Sequence, residues 1–202
     1  MSARTPARRR RVTMSPEDRR EAILQAGTEV FSTTGFAKAT MAEVARAGGI
    51  AQGTIYLYFE SKEHLLAAVW ERYVEGILEI ADRVLAGDGS RWSTLDELWA
   101  ALLDHAVRNA ELHRTVYGSA NAKALELCKD INRRVIDRIG DFVAEGVPDG
   151  TFAPDAPTAF RIVYHGVDGL LDELIATGAE LDAADLTKRT QDLTRRTLSP
   201  RP

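Results

Sequence analysis

Apolar residues along the chain recur at intervals of three and four rather than two. Ile23, Ala26, Gly27, Val30 and Phe31 form one such series; Leu65, Leu66, Val69, Trp70, Tyr73, Ile77, Ile80 and Val84 form a longer one. This spacing stacks the apolar side chains on one face of a helix. No segment alternates apolar and polar residues over a useful length, so the fold class predicted is all-α.

Start and stop signals divide the helices. Ser15, with Pro16 next and Asp18 three positions on, opens a first helix that Gly35 closes. Thr40 and Glu43 make a second capping pair ahead of Val44 and Ala45, and Gly48 and Gly49 end that short helix, because glycine enters left-handed backbone freely. A brief helix from about Ala51 to Tyr58 follows. Ser61 then caps a long helix reaching Gly87, which spans roughly 40 Å. Beyond Gly87–Asp88–Gly89 the pattern stays helical, from Ser93 to Asn109 and then in a short piece near 111–118. A long helix through Leu125, Cys128, Ile131, Val135, Ile139, Phe142 and Val143 comes next, closed by the turn Pro148–Asp149–Gly150. Two more, 156–177 and 183–198, have Asp155 and Asp182 as candidate caps.

With 202 residues, 45% of them hydrophobic, the chain can bury a sizeable core. One cysteine, Cys128, excludes an internal disulfide and fits a reducing cytoplasm. No apolar run is long enough to predict a membrane span, and none follows the charged start of the chain, as a secretory signal requires. The net charge of −4 is unevenly placed. Residues 1–62 carry 10 Lys and Arg against 6 Asp and Glu, and the remainder 16 against 24. A basic head on an acidic body suggests that only the head meets a polyanion. Residues 1–13 are expected to be disordered, with Arg8, Arg9, Arg10 and Arg11 either steering association with DNA or entering a minor groove.

Two short helices joined by a glycine-containing turn describe a helix-turn-helix, with Val44, Ala45, Ile50 and Ile55 at the helix crossing and Ala47, Gly48 and Gly49 at the turn. A purely structural helical hairpin has the same pattern. The stretch from Thr40 to Leu66 (TMAEVARAGGIAQGTIYLYFESKEHLL) goes further and closely resembles the signature segment of the TetR family of repressors. The likeness covers about residues 16–70. Two departures stand out: Ala51 where the family commonly has Ser, and Leu57 where it often has a polar or aromatic residue.

Chemistry and resemblance together imply the DNA contacts. Gln52 can pair bidentately with adenine in a major groove, and Gly53 lets the backbone approach the bases. Thr54 can bond a phosphate or touch a thymine methyl, and Tyr56 and Tyr58 are implied to aim hydroxyls at the DNA backbone. Lys62 at the head of the long helix, and Thr40 capping the earlier one, are implied phosphate contacts. The resemblance further implies a palindromic double-stranded operator and a homodimer, since one recognition helix reads only a few base pairs. Helices 156–177 and 183–198 are the implied dimerisation pair, with Gly166, Gly169, Leu170 and Leu193 at the interface; the plainer alternative is that they close the subunit's own core.

The aromatic residues Trp70, Tyr73, Trp92, Trp99, Tyr117, Phe160 and Tyr164 belong either to plain core or to a ligand pocket. The pocket residues expected are Trp70, Trp99, Leu103, His105, Tyr117, Asn121, Leu125, Tyr164 and Asp168. The domain reading is a basic arm over 1–13, a helix-turn-helix domain over 14–60 and a ligand-binding and dimerisation domain over 61–202. The function expected is a cytoplasmic, ligand-responsive repressor released from DNA by a small molecule, through a swing of the long helix. An activator of the same fold is the alternative, and an effector-independent architectural DNA binder a further one. Neither a cofactor nor a metal is expected. The four histidines form no HExxH, no phosphate loop is present, and Cys128 lies on an apolar face, so no enzyme is expected.

Overall fold

The computed structural model describes residues 14–119, 122–179 and 182–201, with side chains for all of these except 117–119 and 122–125. The basic arm and the Asn121 site candidate lie outside the described residues, as do the side chains of Tyr117 and Leu125. The described residues are helical, with no strand among them: α1 Pro16–Thr34, α2 Met41–Ala47, α3 Gln52–Ile55, α4 Lys62–Leu85, α5 Arg91–Arg108, α6 Ala110–Ser119, α7 Ala122–Glu145, α8 Ala156–Thr177 and α9 Ala183–Leu198.

The helix starts follow from side-chain caps. Ser15 Oγ accepts from the Asp18 N–H at 3.0 Å and Ser61 Oγ from the His64 N–H at 3.3 Å. At α2 the cap is reciprocal: Thr40 Oγ1 accepts the Glu43 N–H, while the Glu43 carboxylate accepts the Thr40 N–H at 2.8 Å. Asp182 caps α9 through the N–H groups of Ala184 and Asp185. Asp155 corrects the expectation for α8, because it stands at the N-cap position but its carboxylate makes no capping bond. Gly35 and Gly49 take the left-handed backbone expected of them, at φ 78° and 62°. Gly48 does not. It has an ordinary φ of −78° and packs on α1, where a Cβ would stand 3.4 Å from the Ala22 carbonyl oxygen, an ordinary contact distance.

One cluster of buried side chains runs from Ile23 in α1 to Leu198 at the end of α9. The chain contains no gap in this core at residue 60. Leu65, Leu66 and Val69 of α4 lie within it, where α4 meets α1, and the same helix continues onto α5 and α7, with α7 its most extensive neighbour. At 24 residues α4 is about 36 Å long and is shared by the head and the body. Ion pairs fasten it on both sides: Arg72 to Glu21 of α1, Arg134 to Glu71 at 3.3 Å, and Arg138 to Asp82 at 2.7 Å. No described helix is long and apolar enough to cross a membrane.

Candidate nucleic-acid interface and interior cavity

The segment after Gly49 presents itself outward by anchoring every third or fourth residue inward. Ile55 is fully buried and Phe59 nearly so, while Gln52 and Gly53 ahead of the first anchor are exposed. Tyr56 is 49% exposed and Leu57 82%. The α-helix is shorter than the sequence pattern predicts: it covers Gln52–Ile55, and Tyr56, Leu57 and Tyr58 continue as turns held by N–H bonds back to Thr54 and Ile55. Thr54 and Tyr58 are half-buried, Tyr58 leaning on the core. A Cβ on Gly53 would meet nothing within 4 Å, so no internal contact requires glycine there. Gln52, Gly53, Tyr56 and Leu57 therefore share one outward surface of amide, bare backbone, phenol and methyl groups. Those are the groups that read base edges and phosphates in a major groove.

Lys62 and Thr40 sit beside this surface but are otherwise occupied. The Lys62 ammonium donates to the carbonyl oxygens of Phe36 at 2.7 Å and Ala39 at 2.9 Å, with Ala37 at 3.4 Å, and lies 4.5 Å from the Phe36 ring centre. An ammonium has three N–H donors, and all three face this loop. Where the sequence implies a phosphate contact, the structure gives Lys62 the task of tying the α1–α2 loop to α4. Thr40 Oγ1 likewise serves the capping box, donating to Glu43 at 2.8 Å, although the residue remains exposed. These bonds hold the Glu43 carboxyl below its ordinary value.

A small cavity of about 40 Å³ lies in the body between α4, α5, α6 and α8. Trp99, Leu103, Tyr164 and Asp168 of the expected pocket residues line it. Tyr73, read from sequence as one of several bulky aromatics, joins them, and Ile77, Leu102, Ala106, His113, Val167 and Leu171 were not singled out. Trp70 and His105 are elsewhere. The Trp70 Nε1–H donates to Asn132 Oδ1 at 2.6 Å, and His105 stacks on the far side of Tyr73 at 4.8 Å, facing a separate recess. The missed aliphatic residues had no distinguishing signal, since a residue bordering a void has the same helical spacing as one filling it. His113 carried a faint signal, as a lone imidazole in an otherwise ordinary short helix.

His113 is the polar centre of this region and is 3% exposed. Its Nδ1 lies 2.8 Å from Asp172 and its Nε2 2.6 Å from the Tyr73 hydroxyl. Because a carboxylate only accepts, Nδ1–H donates to Asp172, and Nε2 pairs with the Tyr73 hydroxyl. Nearby Asp168 is pushed up to about 6, chiefly by burial and then by the charge of Asp172, with His113 and His165 opposing. His105 is lowered, chiefly by its desolvation. Cys128, pushed up to about 12 by burial, is a core thiol. No cluster of potential metal ligands occurs among the described residues.

A helix-turn-helix head with an exposed surface after Gly49 stands on a helical body that encloses a small cavity. Residues 23–69 match the family described as bacterial regulatory proteins, tetR family. An uncharacterized HTH-type transcriptional regulator, YvdT of Bacillus subtilis, is 38% identical over 96 residues, which cover 48% of this chain and 47% of that protein, so the chain spans about half the length of that relative. The HTH-type transcriptional repressor KstR2 of Mycolicibacterium smegmatis is 25% identical over 69% of this chain and 70% of its own. Among solved structures, FadR from Bacillus subtilis in complex with stearoyl-CoA superposes with a TM-score of 0.70 over 86% of this chain and 96% of that one, at 19% identity. Residues 23–69 thus carry the DNA-binding segment of the tetR family, and the described helices share the fold of solved TetR-family structures.

Proposed function

We propose that this protein is a cytoplasmic homodimeric repressor that holds a palindromic operator through the Gln52–Tyr56 surface and lets go when a small molecule enters its interior cavity. The observation that carries the reading is the outward surface after Gly49. Ile55 and Phe59 fix it to the core while Gln52, Gly53, Tyr56 and Leu57 stay exposed. The division into a head over 14–60 and a body over 61–202 is part of the same reading, with α4 as the shared member. KstR2 is named as a repressor and the FadR structure holds stearoyl-CoA, which supports DNA release under the control of a ligand in the body.

Dimerisation is supported by the outer face of α8 and α9. Ile162, Leu170 and Leu193 are exposed large apolar residues, and a Cβ on Gly166 or Gly169 would meet nothing within 4 Å. The close approach that glycine allows is not used inside the subunit, so a second subunit is the fitting user. Two copies would place two reading surfaces on half-sites about 34–36 Å apart.

Release follows from the size of the cavity. At about 40 Å³ it holds a water or two, against the roughly 300–1,000 Å³ of ordinary ligand pockets. A ligand must therefore part α4 and α8. Two routes lead from there to the head: α4 directly, and α6, where His113 touches the cavity and Thr115 Oγ1 lies 3.3 Å from the Phe31 carbonyl at the end of α1. Ligand binding favours the parted conformation, which spoils the spacing of the two reading surfaces. Electrophoretic shifts on the chain's own upstream palindromes and on random DNA test the proposal. Selective binding lost in a Gln52→Ala, Tyr56→Ala double variant is expected; equal binding of random DNA, or a double variant as tight as the parent, overturns it.

A further inference from the structure

Asp168 has no hydrogen-bond or ion-pair partner among the described residues, although it is largely withdrawn from water. It lines two spaces at once. On one side is the apolar cavity, and on the other an open cleft of about 400 Å³ between α7 and α8. A carboxylate at such a junction is costly to keep unpaired; Lys129 and His165 share its cleft side, and the other nearby cations each have a carboxylate of their own. Arg161 pairs with Asp137 at 2.6 Å, Arg133 with Asp130 at 3.2 Å, and His113 with Asp172.

A second observation in the same cavity also asks for a ligand. Trp99 is 4% exposed, and its indole Nε1–H is buried without an acceptor. The Trp99 and Tyr164 rings stand 6.0 Å apart and tilted by 33°, two aromatic faces on the approach to Asp168. Aromatic faces beside a carboxylate attract a cation and repel an anion. An unpaired donor in the same wall is satisfied by a neutral oxygen.

We propose that Asp168 is the polar anchor of the effector site and that the effector is an organic amine with an apolar or aryl body and one neutral oxygen. Its ammonium sits on the Asp168 carboxylate, its body lies against the Trp99 and Tyr164 rings, and its oxygen accepts the Trp99 N–H. This rests on the regulatory reading above for its consequence but not for the binding itself. It also separates this chain from FadR, whose stearoyl-CoA is anionic.

Three probes of one shape decide it: phenoxybutylamine, phenoxybutanol and phenoxybutyrate, titrated into the full-length protein by calorimetry. The amine is expected to bind about tenfold or more tightly than the alcohol, and the butyrate most weakly. Asp168→Asn erases the amine's advantage and Asp168→Glu keeps part of it, while Trp99→Phe weakens all three probes alike. A butyrate as tight as the amine, an amine advantage that survives Asp168→Asn in a protein with parental circular dichroism, or no binding of any probe at millimolar concentration overturns the proposal. Operator binding of the parent is measured separately. An amine that binds through Asp168 yet leaves the operator complex intact defeats the regulatory reading alone; operator release by a compound other than an amine, without Asp168, defeats this one alone.

Discussion

The Lys62 ammonium lies 2.7 Å from the Phe36 carbonyl oxygen and over the ring of the same residue. The lysine that heads α4 thus gathers the carbonyls of the α1–α2 loop and sets the distance from α1 to the reading surface. Lys62→Met keeps the stem and removes the donors, leaving the part-buried carbonyls of Phe36 and Ala39 without this partner, at a cost of about 1–3 kcal/mol. A Tm lower by several degrees is expected, with the slope of operator affinity against salt unchanged. A shallower slope with unchanged Tm would show instead that Lys62 serves a phosphate.

Gly53 is free of internal neighbours and lies within α3, so Gly53→Ala is expected to hold or raise stability by about 0.5–1 kcal/mol. The same methyl stands where a base edge must come close, and operator affinity should fall at least tenfold. Thermal melting and a shift titration on one preparation read both effects. Parental affinity in Gly53→Ala would remove this residue from the interface.

The Tyr73 hydroxyl and His113 join α4 to α6 at the cavity, and His113 continues to Asp172 of α8. Tyr73→Phe leaves the buried His113 Nε2 unpaired and should cost about 1–2 kcal/mol, or a few degrees in Tm. It also cuts one of the two routes to the head. The expected readout is a smaller ligand-induced loss of operator affinity, and a variant with parental response would leave α4 as the sole carrier.

Stability should respond to pH through two groups of opposite sign. Asp168 is raised from 3.8 to about 6, so the folded state binds an extra proton between those values. Its stabilising effect is full below about 4, fades as pH rises to about 6 and is absent above, a swing of as much as about 3 kcal/mol. His105 is lowered below its ordinary 6.5, so its contribution is present above that value and is lost on acidification. Asp168→Asn removes only the first effect, and should melt higher than the parent near neutrality with the advantage gone near pH 4. A parent–variant difference independent of pH contradicts this assignment.

An Ile162→Glu, Leu170→Glu double variant places two carboxylates on exposed positions of α8, where the subunit itself has room. Sedimentation should then give a monomer at concentrations where the parent is a dimer, with helical content kept and operator affinity sharply reduced. A variant that sediments as the parent does would relocate the interface.

The head was legible because each of its parts is a local rule. The Thr40–Glu43 pair, the Gly49 turn and the spacing from Ile55 to Phe59 are read within a few residues and appear as read. Helix ends at Thr177 and Leu198 were equally local, fixed by Gly178 and by the proline beyond. Errors arose where one residue type serves two ends. Asp155 has the right chemistry for a cap and the wrong geometry, and Gly48 lacks the positive φ that its neighbour Gly49 takes.

Sequence alone determined the helical class, the caps other than that of α8 and the outward surface after Gly49, because periodicity and capping act over one or two turns. Tertiary structure alone decided what Lys62 holds, which of the many buried aromatics border a void, and that Asp168 and Trp99 share one cavity with unmet needs. These facts join residues 23 to 69 positions apart, and hydrogen bonding and burial at such range depend on how helices cross, which no short window of sequence encodes.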